Sequence, residues 1–463
     1  NPVLVSVKAT DNVLNFSKTK LITGVNVIDG LLLFTDDNSE PKKINIEDCK
    51  NGSLNFTTHT VFTKYDSTTY NFSEEDITVI KSFPTHAPSI SLANTARIKD
   101  DGTPAVVSGV GKKKFEYRNE LPSAGSRESV NLFTRPDFKV GDRVRATLEG
   151  DIEEGNEDAE IILTVRELPR SSTSPIYRFI IESISENTPI SEKDYLFELI
   201  QEDALFEKEF VRFAYRYKYA DGEYSVISPF SEIAFLPKEF EYDPAKGHNT
   251  GMENDMRYLK IGGFANAADV PNQAIEIELL FKKETSTNIY SVQSFKYTDK
   301  AWSDNYYEIS SELIHKVLPS NQLLRPYDNV PLKAKAQEIV ANRLIYGNYL
   351  QNFDLKDLRN ADYKPKFETR LSLDKNKPTD GAVGKSIKSM RTYQLGVTFI
   401  DKYGRETPVQ TDDSGSIKIN KALANRYTGI SVALHTAKPT FAKSFKYYIK
   451  ETSNEYYNLA MDR

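Results

Sequence analysis

The side chains best suited to chemistry in this chain are five histidines, one cysteine and three clusters of charge. His59, His86, His248, His315 and His435 lie far apart with no HxH, HExxH or Cys-His spacing, so they do not compose a zinc ligand set. They read as surface or packing residues. The run Asp36-Asp37-Asn38-Ser39-Glu40 offers oxygens to a calcium ion but lacks the alternating acidic order and central glycine of a calcium loop. It reads as a turn held by side-chain to backbone hydrogen bonds. Asp151 to Glu160 carries six carboxylates and reads as a solvated hairpin tip, since a glycosidase pair would need a sugar groove around it. Gly109-Val110-Gly111-Lys112-Lys113-Lys114 superficially resembles a phosphate loop, but the spacing is not GxxxxGK[ST] and Phe115 stands where a hydroxyl is required. A basic turn able to touch an acidic neighbouring subunit is the reading adopted. Cys49 is alone, so no intrachain disulfide can form. No catalytic, cofactor-binding or metal-binding residue is assigned, no cofactor is expected, and the chain is read as not an enzyme.

The elements that would position any site come from a long chain. Its 463 residues exceed what one core supports, so three or more modules are expected. Hydrophobic residues make up 39% and charged residues 27%, a balance typical of folded chains and not of disordered ones. The 25 Phe and 26 Tyr sit in alternating stretches suited to half-buried pleated surfaces. A net charge of −6 supplies no basic field to hold nucleic acid tightly. No apolar run is long enough to span a membrane as a helix. Four sequons, at Asn15, Asn51, Asn55 and Asn71, read as chance matches in an Asn- and Ser-rich stretch. The absence of an initiating Met and the strand-like ending at Tyr456 to Arg463 suggest a piece of a longer polypeptide.

Along the chain, Asp29-Gly30 between two apolar runs is the strongest hairpin signal, and Pro41 to Ile46 returns as a third strand. A related strand-turn-strand pattern recurs at Ala336 to Tyr349, with Asn342-Arg343 at its turn. Such units resemble the pieces of propeller blades. Phe138 to Leu148, Ile161 to Val165 and Tyr177 to Ile181 predict a small antiparallel barrel. Ser191-Glu192-Lys193-Asp194 resembles a capping box and predicts a helix over Ser191 to Glu209; a second is predicted over Ser310 to Leu318. The clearest repeat matches Phe210 to Ser225 with Tyr393 to Glu406, each an alternating strand running into a glycine turn, with Gly222 and Gly404 182 positions apart. Strand pairs follow each copy, Ile275 to Lys282 in the first, and Ile430 to Leu434 with Tyr447 to Lys450 in the second. Two fibronectin-like sandwiches are expected, the first strand burying Phe213, Tyr215, Tyr217 and Tyr219 and turning Arg212, Ala214, Arg216 and Lys218 outward.

The fold class expected is therefore mainly β and multidomain, with partial β-propeller-like blades, an inserted small β-barrel and two immunoglobulin- or fibronectin-like sandwiches. The boundaries are 1–100 for the first blade segment, 101–209 for the barrel with its helix, 210–325 for the first sandwich, 326–388 for the second blade segment and 389–463 for the second sandwich.

Leu21 to Asn45, Asn342 to Tyr349 and Tyr217 to Phe230, together about a tenth of the chain, resemble the muzzle or stem protein of crAss-like phages. That family is itself similar to the tail nozzle proteins of other short-tailed bacteriophages. The resemblance implies a virion protein of the phage tail, made in the bacterial host cytoplasm, in which a propeller carries inserted β domains. Its partners would be copies of itself in a ring and other tail proteins such as the tail hub, adaptor rings and fibres. Phage DNA would pass during genome ejection without specific binding, which suits the acidic balance. Two other classes share the strand signals: a carbohydrate-binding or glycan-degrading propeller protein, and a bacterial surface adhesin.

Overall fold

The computed structural model describes residues 2–452 apart from 8–12, 15, 115–120, 151–158, 171–174, 239–240, 246, 310, 313–315, 320–321, 323–328, 342, 357–358 and 375–385. Its regular structure is almost all antiparallel strand, in several sheets. At the start, Asp29 and Gly30 take positive φ of 49° and 78°, the geometry of a two-residue hairpin turn. They join β1 (Gly24–Ile28) to β2 (Leu31–Thr35), and β3 (Lys42–Asn45) completes the meander. Strand β3 ends one residue earlier than the sequence implied. Asn45 caps a short helix there, α1 (Ile46–Gly52), its side chain accepting from the backbone N–H of Glu47 and Asp48. A small hairpin, β4 (Val61–Thr63) with β5 (Thr69–Asn71), and the strand β6 (Ser89–Ala93) follow.

The next six strands curl into a half-barrel. They are β7 (Ser108–Lys113), β8 (Arg127–Asn131), β9 (Arg143–Leu148), β10 (Glu160–Glu167), β11 (Ile176–Ile184) and β12 (Lys193–Leu199), in the order β7-β12-β9-β10-β11-β8. Inward-facing Val144, Ala146, Leu163, Val165, Phe179 and Phe197 fill it. Its edges approach where Gly111 bridges Leu132, and a Cβ on Gly111 would come within 2.6 Å of that leucine. The glycines of the Gly109–Lys114 run therefore serve close packing within a strand, not a basic turn. The helix expected from Ser191 is likewise replaced by β12. Tyr195 and Phe197 are buried at alternate positions, and pairing with both β7 and β9 outweighs the local capping signal.

The central region holds β13 (Val211–Tyr219), β14 (Tyr242–Asp243), β15 (His248–Asn249), β16 (Tyr258–Gly262), β17 (Ala274–Lys283) and β18 (Ile289–Lys296). After a short helix, α2 (Lys300–Asp304), come β19 (Tyr306–Ile309) and β20 (Lys316–Val317). Lys316 and Val317 pair with β18 where the second helix was expected; Ser310 and residues 313–315 of that segment lie outside the described residues. The sheet β13-β17-β18-β20 and the sheet β19-β16-β6 share one core, in which Phe213, Tyr215, Leu279 and Phe295 meet Leu259, Ile261 and Ile309. Strand β6 comes from the segment assigned to the first blade, so this core crosses the expected boundary. The aromatic face of β13 is buried as expected, but the opposite face is not turned to solvent. Arg216 is 1% exposed, its Nε donating to Glu278 at 2.7 Å and its guanidinium lying 3.9 Å over the Tyr224 ring.

The remaining strands are β21 (Lys333–Val340), β22 (Arg343–Leu350), β23 (Phe367–Asp374), β24 (Arg391–Ile400), β25 (Gln410–Ile419), β26 (Tyr427–Leu434) and β27 (Ser444–Thr452). Hairpin β21–β22 turns before Arg343, one position earlier than the sequence placed it, and it lies against the first meander. There the Asp37 N–H donates to the Ala334 carbonyl at 3.0 Å, and the Gln337 amide donates to Asn26 at 3.1 Å. The two blade-like segments thus touch each other. Among the described residues no propeller and no immunoglobulin sandwich is identified. What the described residues build instead are antiparallel sheets of two to six strands, some with cores shared between segments distant in sequence.

The internal repeat is real at the level of hydrogen bonds. After Gly222 (φ 81°) the chain returns beside β13, and Ser225, Ser228 and Ser231 donate their N–H groups to the carbonyls of Tyr217, Tyr215 and Phe213. Each hydroxyl in turn accepts from the N–H of the same strand residue, at 3.0, 2.9 and 3.0 Å. After Gly404 (φ 89°) Thr407 does the same with Phe399, its N–H donating to the carbonyl and its Oγ1 accepting from the N–H, both at 3.0 Å. The pairs Tyr217–Ser225 and Phe399–Thr407 keep the 182-residue offset of the two glycines. The partner of β24 on the other side is β27, which corresponds to β17; Ile430–Leu434 pairs with β23 instead. Ser228→Ala would orphan the buried Tyr215 N–H. We expect a loss of about 1–3 kcal/mol, measured as a lower denaturation midpoint with unchanged slope.

Candidate assembly surface and the junction of the two ladders

Both glycine turns dock on the segment between Asp36 and Phe83, one on each side of it. From the first copy, Asp221 and Glu223 hold the Lys43 ammonium at 2.7 and 2.9 Å, and the Tyr219 hydroxyl donates to the Ser82 carbonyl at 2.5 Å. From the second, Arg405 spans Asp401 at 2.7 Å and Glu40 at 2.8 Å, while Lys402 reaches Glu74 at 3.1 Å. Glu74 also holds Lys42, itself 1% exposed, at 2.6 Å. Apolar contact between Phe83, Val226 and Ile400 closes the gap between the two turns. Burial pushes the Glu74 carboxyl up, but bonding and charge from Lys42 and Lys402 outweigh it and hold it below its ordinary range. Asp221 is held low in the same way, with burial opposed by Lys43 and Lys81. The junction is a tie between three distant segments.

A different surface has unsatisfied apolar area. On β24, Tyr393, Leu395, Val397 and Phe399 are buried on one face, over a core that includes Phe367 and Tyr363. Directly opposed residues of an antiparallel pair share a face. The registers Leu395↔Ile449, Val397↔Tyr447 and Phe399↔Phe445 therefore extend this apolar face onto β27. There the cover that the described residues give stops. Phe445, Tyr447 and Ile449 are 51%, 40% and 54% exposed, on the terminal strand of the sheet β25-β24-β27. Such a stripe on an edge strand is a template for another chain. Val25 and Val27 of β1 and Ile345 and Tyr349 of β22 are further exposed apolar positions on strands.

The residues singled out in the sequence scatter. Asp36 accepts from the N–H groups of Asn38 and Ser39 at 3.0 and 3.1 Å, which makes the acidic run a turn of the expected kind. Its Glu40 belongs to the junction, a role that sequence alone did not signal. Lys113 pairs with Glu128 and Lys112 with Glu192. His59 stacks on Phe72 at 4.7 Å and His435 meets Glu368 at 2.6 Å. His315 and residues 151–158 lie outside the described residues. Cys49 lies on the buried face of α1, and burial, then Asp48, pushes its thiol up to about 12, away from the thiolate form that reacts. Among the described residues no three His, Cys, Asp or Glu side chains gather as a metal site, and no helix is long and apolar enough to cross a membrane. Comparison of the chain with protein-family profiles and with curated proteins gives no match.

Proposed function

We propose that this protein is a structural, non-enzymatic subunit of a phage tail, of the muzzle or nozzle kind, which assembles with copies of itself into an axial ring forming part of the genome-ejection conduit. The observation that carries the assembly part is the apolar face of β24 running onto β27, where no described residue covers it. A second copy seated there would bury aromatic anchors of the type that dominate interface energies. The resemblance of Leu21–Asn45, Tyr217–Phe230 and Asn342–Tyr349 to tail proteins supplies the setting. In this reading the hairpins β1–β3 and β21–β22, already in contact, are blade pieces completed outside the described residues, and the two ladder-bearing strands are the seeds of the sandwich modules. Other tail proteins flank the ring, and DNA passes without specific binding. The protein resides in the virion after synthesis in the host cytoplasm.

A ring made by repeated head-to-tail contacts needs interfaces of the obligate class, above about 2,000 Å². Light scattering on the purified chain is expected to give a multiple of the 52.5 kDa subunit mass. The double variant Tyr447→Glu, Ile449→Glu should shift it to single chains with an unchanged circular dichroism spectrum. Cryo-electron microscopy of the native particle then decides the setting. A monomeric protein at the particle's periphery would overturn the conduit reading and favour the adhesin or glycan-binding alternatives.

A further inference from the structure

A cavity of about 490 Å³ lies between the first meander, the β4–β5 hairpin and the loop before β17. Its volume falls within the range of about 300–1,000 Å³ common to small-molecule sites. The feature that sets it apart from packing space is Lys81. This side chain is 6% exposed and makes no ion pair among the described residues. Its ammonium reaches two neutral acceptors, the Gln273 amide oxygen at 3.3 Å and the Asp76 carbonyl at 3.4 Å, and lies 5.8 Å from the centre of the Tyr219 ring. The carboxylates that also line the cavity have other ties. Asp221 is bound by Lys43 at 2.7 Å, and Asp76 accepts from the Ser73 N–H at 2.7 Å and from the Tyr70 hydroxyl at 3.1 Å. Asp48 stands in the first turn of α1, where the helix amides favour its negative charge. Among the described residues no carboxylate touches this buried cation; Asp221, Glu223 and Asp76 compensate it only at longer range, and an anion seated against it would supply the missing contact.

The rest of the lining is rich in neutral hydrogen-bonding groups. Asn45, whose oxygen is used in capping α1, keeps its amide N–H groups for donation; Asn51 and Asn272 add two more amides, and Tyr65 an aromatic wall. Such groups match hydroxyls on a compact ligand body. We propose that this cavity is a binding site for a small polyhydroxylated carboxylic acid, its carboxylate on Lys81 and its hydroxyls on the surrounding amides. Burial first, and the nearby Lys43 charge second, hold the Lys81 pKa below its ordinary value against the pull of Asp221, Glu223 and Asp76, and a bound carboxylate would raise it again.

The test is calorimetric titration of the intact chain with glucuronate, glucose and acetate. Glucuronate is expected to bind with a dissociation constant on the order of 1 mM, and glucose and acetate at least about tenfold more weakly, a difference of about 1.4 kcal/mol. Lys81→Met should abolish glucuronate binding. Should that variant fail to fold, Asn272→Ala carries the test, because it should weaken glucuronate and leave acetate unaffected. Acetate binding as tightly as glucuronate would reduce the site to a simple anion pocket and overturn the proposal. So would glucuronate binding that survives Lys81→Met, or the absence of any saturation. None of these outcomes depends on whether the chain forms a ring.

Discussion

Arg405→Ala is expected to destabilise the protein by about 3–5 kcal/mol, because it strips the partner from two carboxylates and leaves them facing each other in a buried site. Arg405 is 5% exposed and Asp401 3%, and the guanidinium is the only cation within bonding distance of Glu40 among the described residues. The loss should not be uniform. Glu40 belongs to the first meander and Arg405 to the second ladder, so denaturation followed by two probes should split into separate transitions once the tie is cut. Arg405→Lys should recover part of the loss, since an ammonium reaches one carboxylate but not both in the same geometry. A single unshifted transition for the alanine variant would sink the tie as a source of stability. The junction also sets an acid limit. Glu74 and Asp221 are held below their unfolded values of about 4.3 and 3.9, so the stability they contribute is complete above those values and is lost as pH falls through the lower folded ones. Stability should therefore fall off below about pH 4, and less steeply in Glu74→Gln.

The second large effect is expected at Phe213, which is 1% exposed in the largest core and stands opposite Phe281 in the β13–β17 register. Phe213→Ala should cost about 3–5 kcal/mol through the cavity it leaves. Phe213→Asp adds a buried unpaired charge and should prevent the central sheets from forming, read as loss of soluble folded protein. Lys218→Asp, five positions along the same strand, is the contrast. It gives up a half-exposed pair with Glu276 at 3.0 Å and should cost about 1 kcal/mol. Similar tolerance of both aspartates would refute the assignment of the aromatic face to the core.

Local signals were legible and long-range ones were not. Asp29-Gly30 names its turn because both residues must take positive φ, and the alternation of Phe213, Tyr215, Tyr217 and Tyr219 names a buried face because strands have a period of two. The capping-like Ser191-Glu192-Lys193-Asp194 misled because the period-two pair Tyr195 and Phe197 carries more weight once two neighbouring strands are present. The same alternation rule turns Arg216 outward, yet it is 1% exposed. Its counter-charge, Glu278, lies 62 residues away, and nothing near either residue announces the pair. The repeat was visible through its glycines, yet the Ser and Thr hydroxyls that define it were not, since their meaning depends on a neighbouring strand's N–H groups. The overrun of apolar area onto β27 needed the register, which sequence does not fix.

The Glu40–Arg405 bond has a consequence for how the molecule comes into being. Its partners are 365 residues apart, so at about 5–20 residues per second a ribosome adds the second roughly 20–70 s after the first. For that interval Glu40 waits without its cation, and Glu74 waits similarly for Lys402. The first meander can form its own hairpins early, because those contacts are local. Its final docking must wait until Lys402 and Arg405 have been added. During the wait the exposed valines of β1 and the unfinished junction are open to other nascent chains, so the long separation of these partners in the chain makes their joining a step exposed to misassembly.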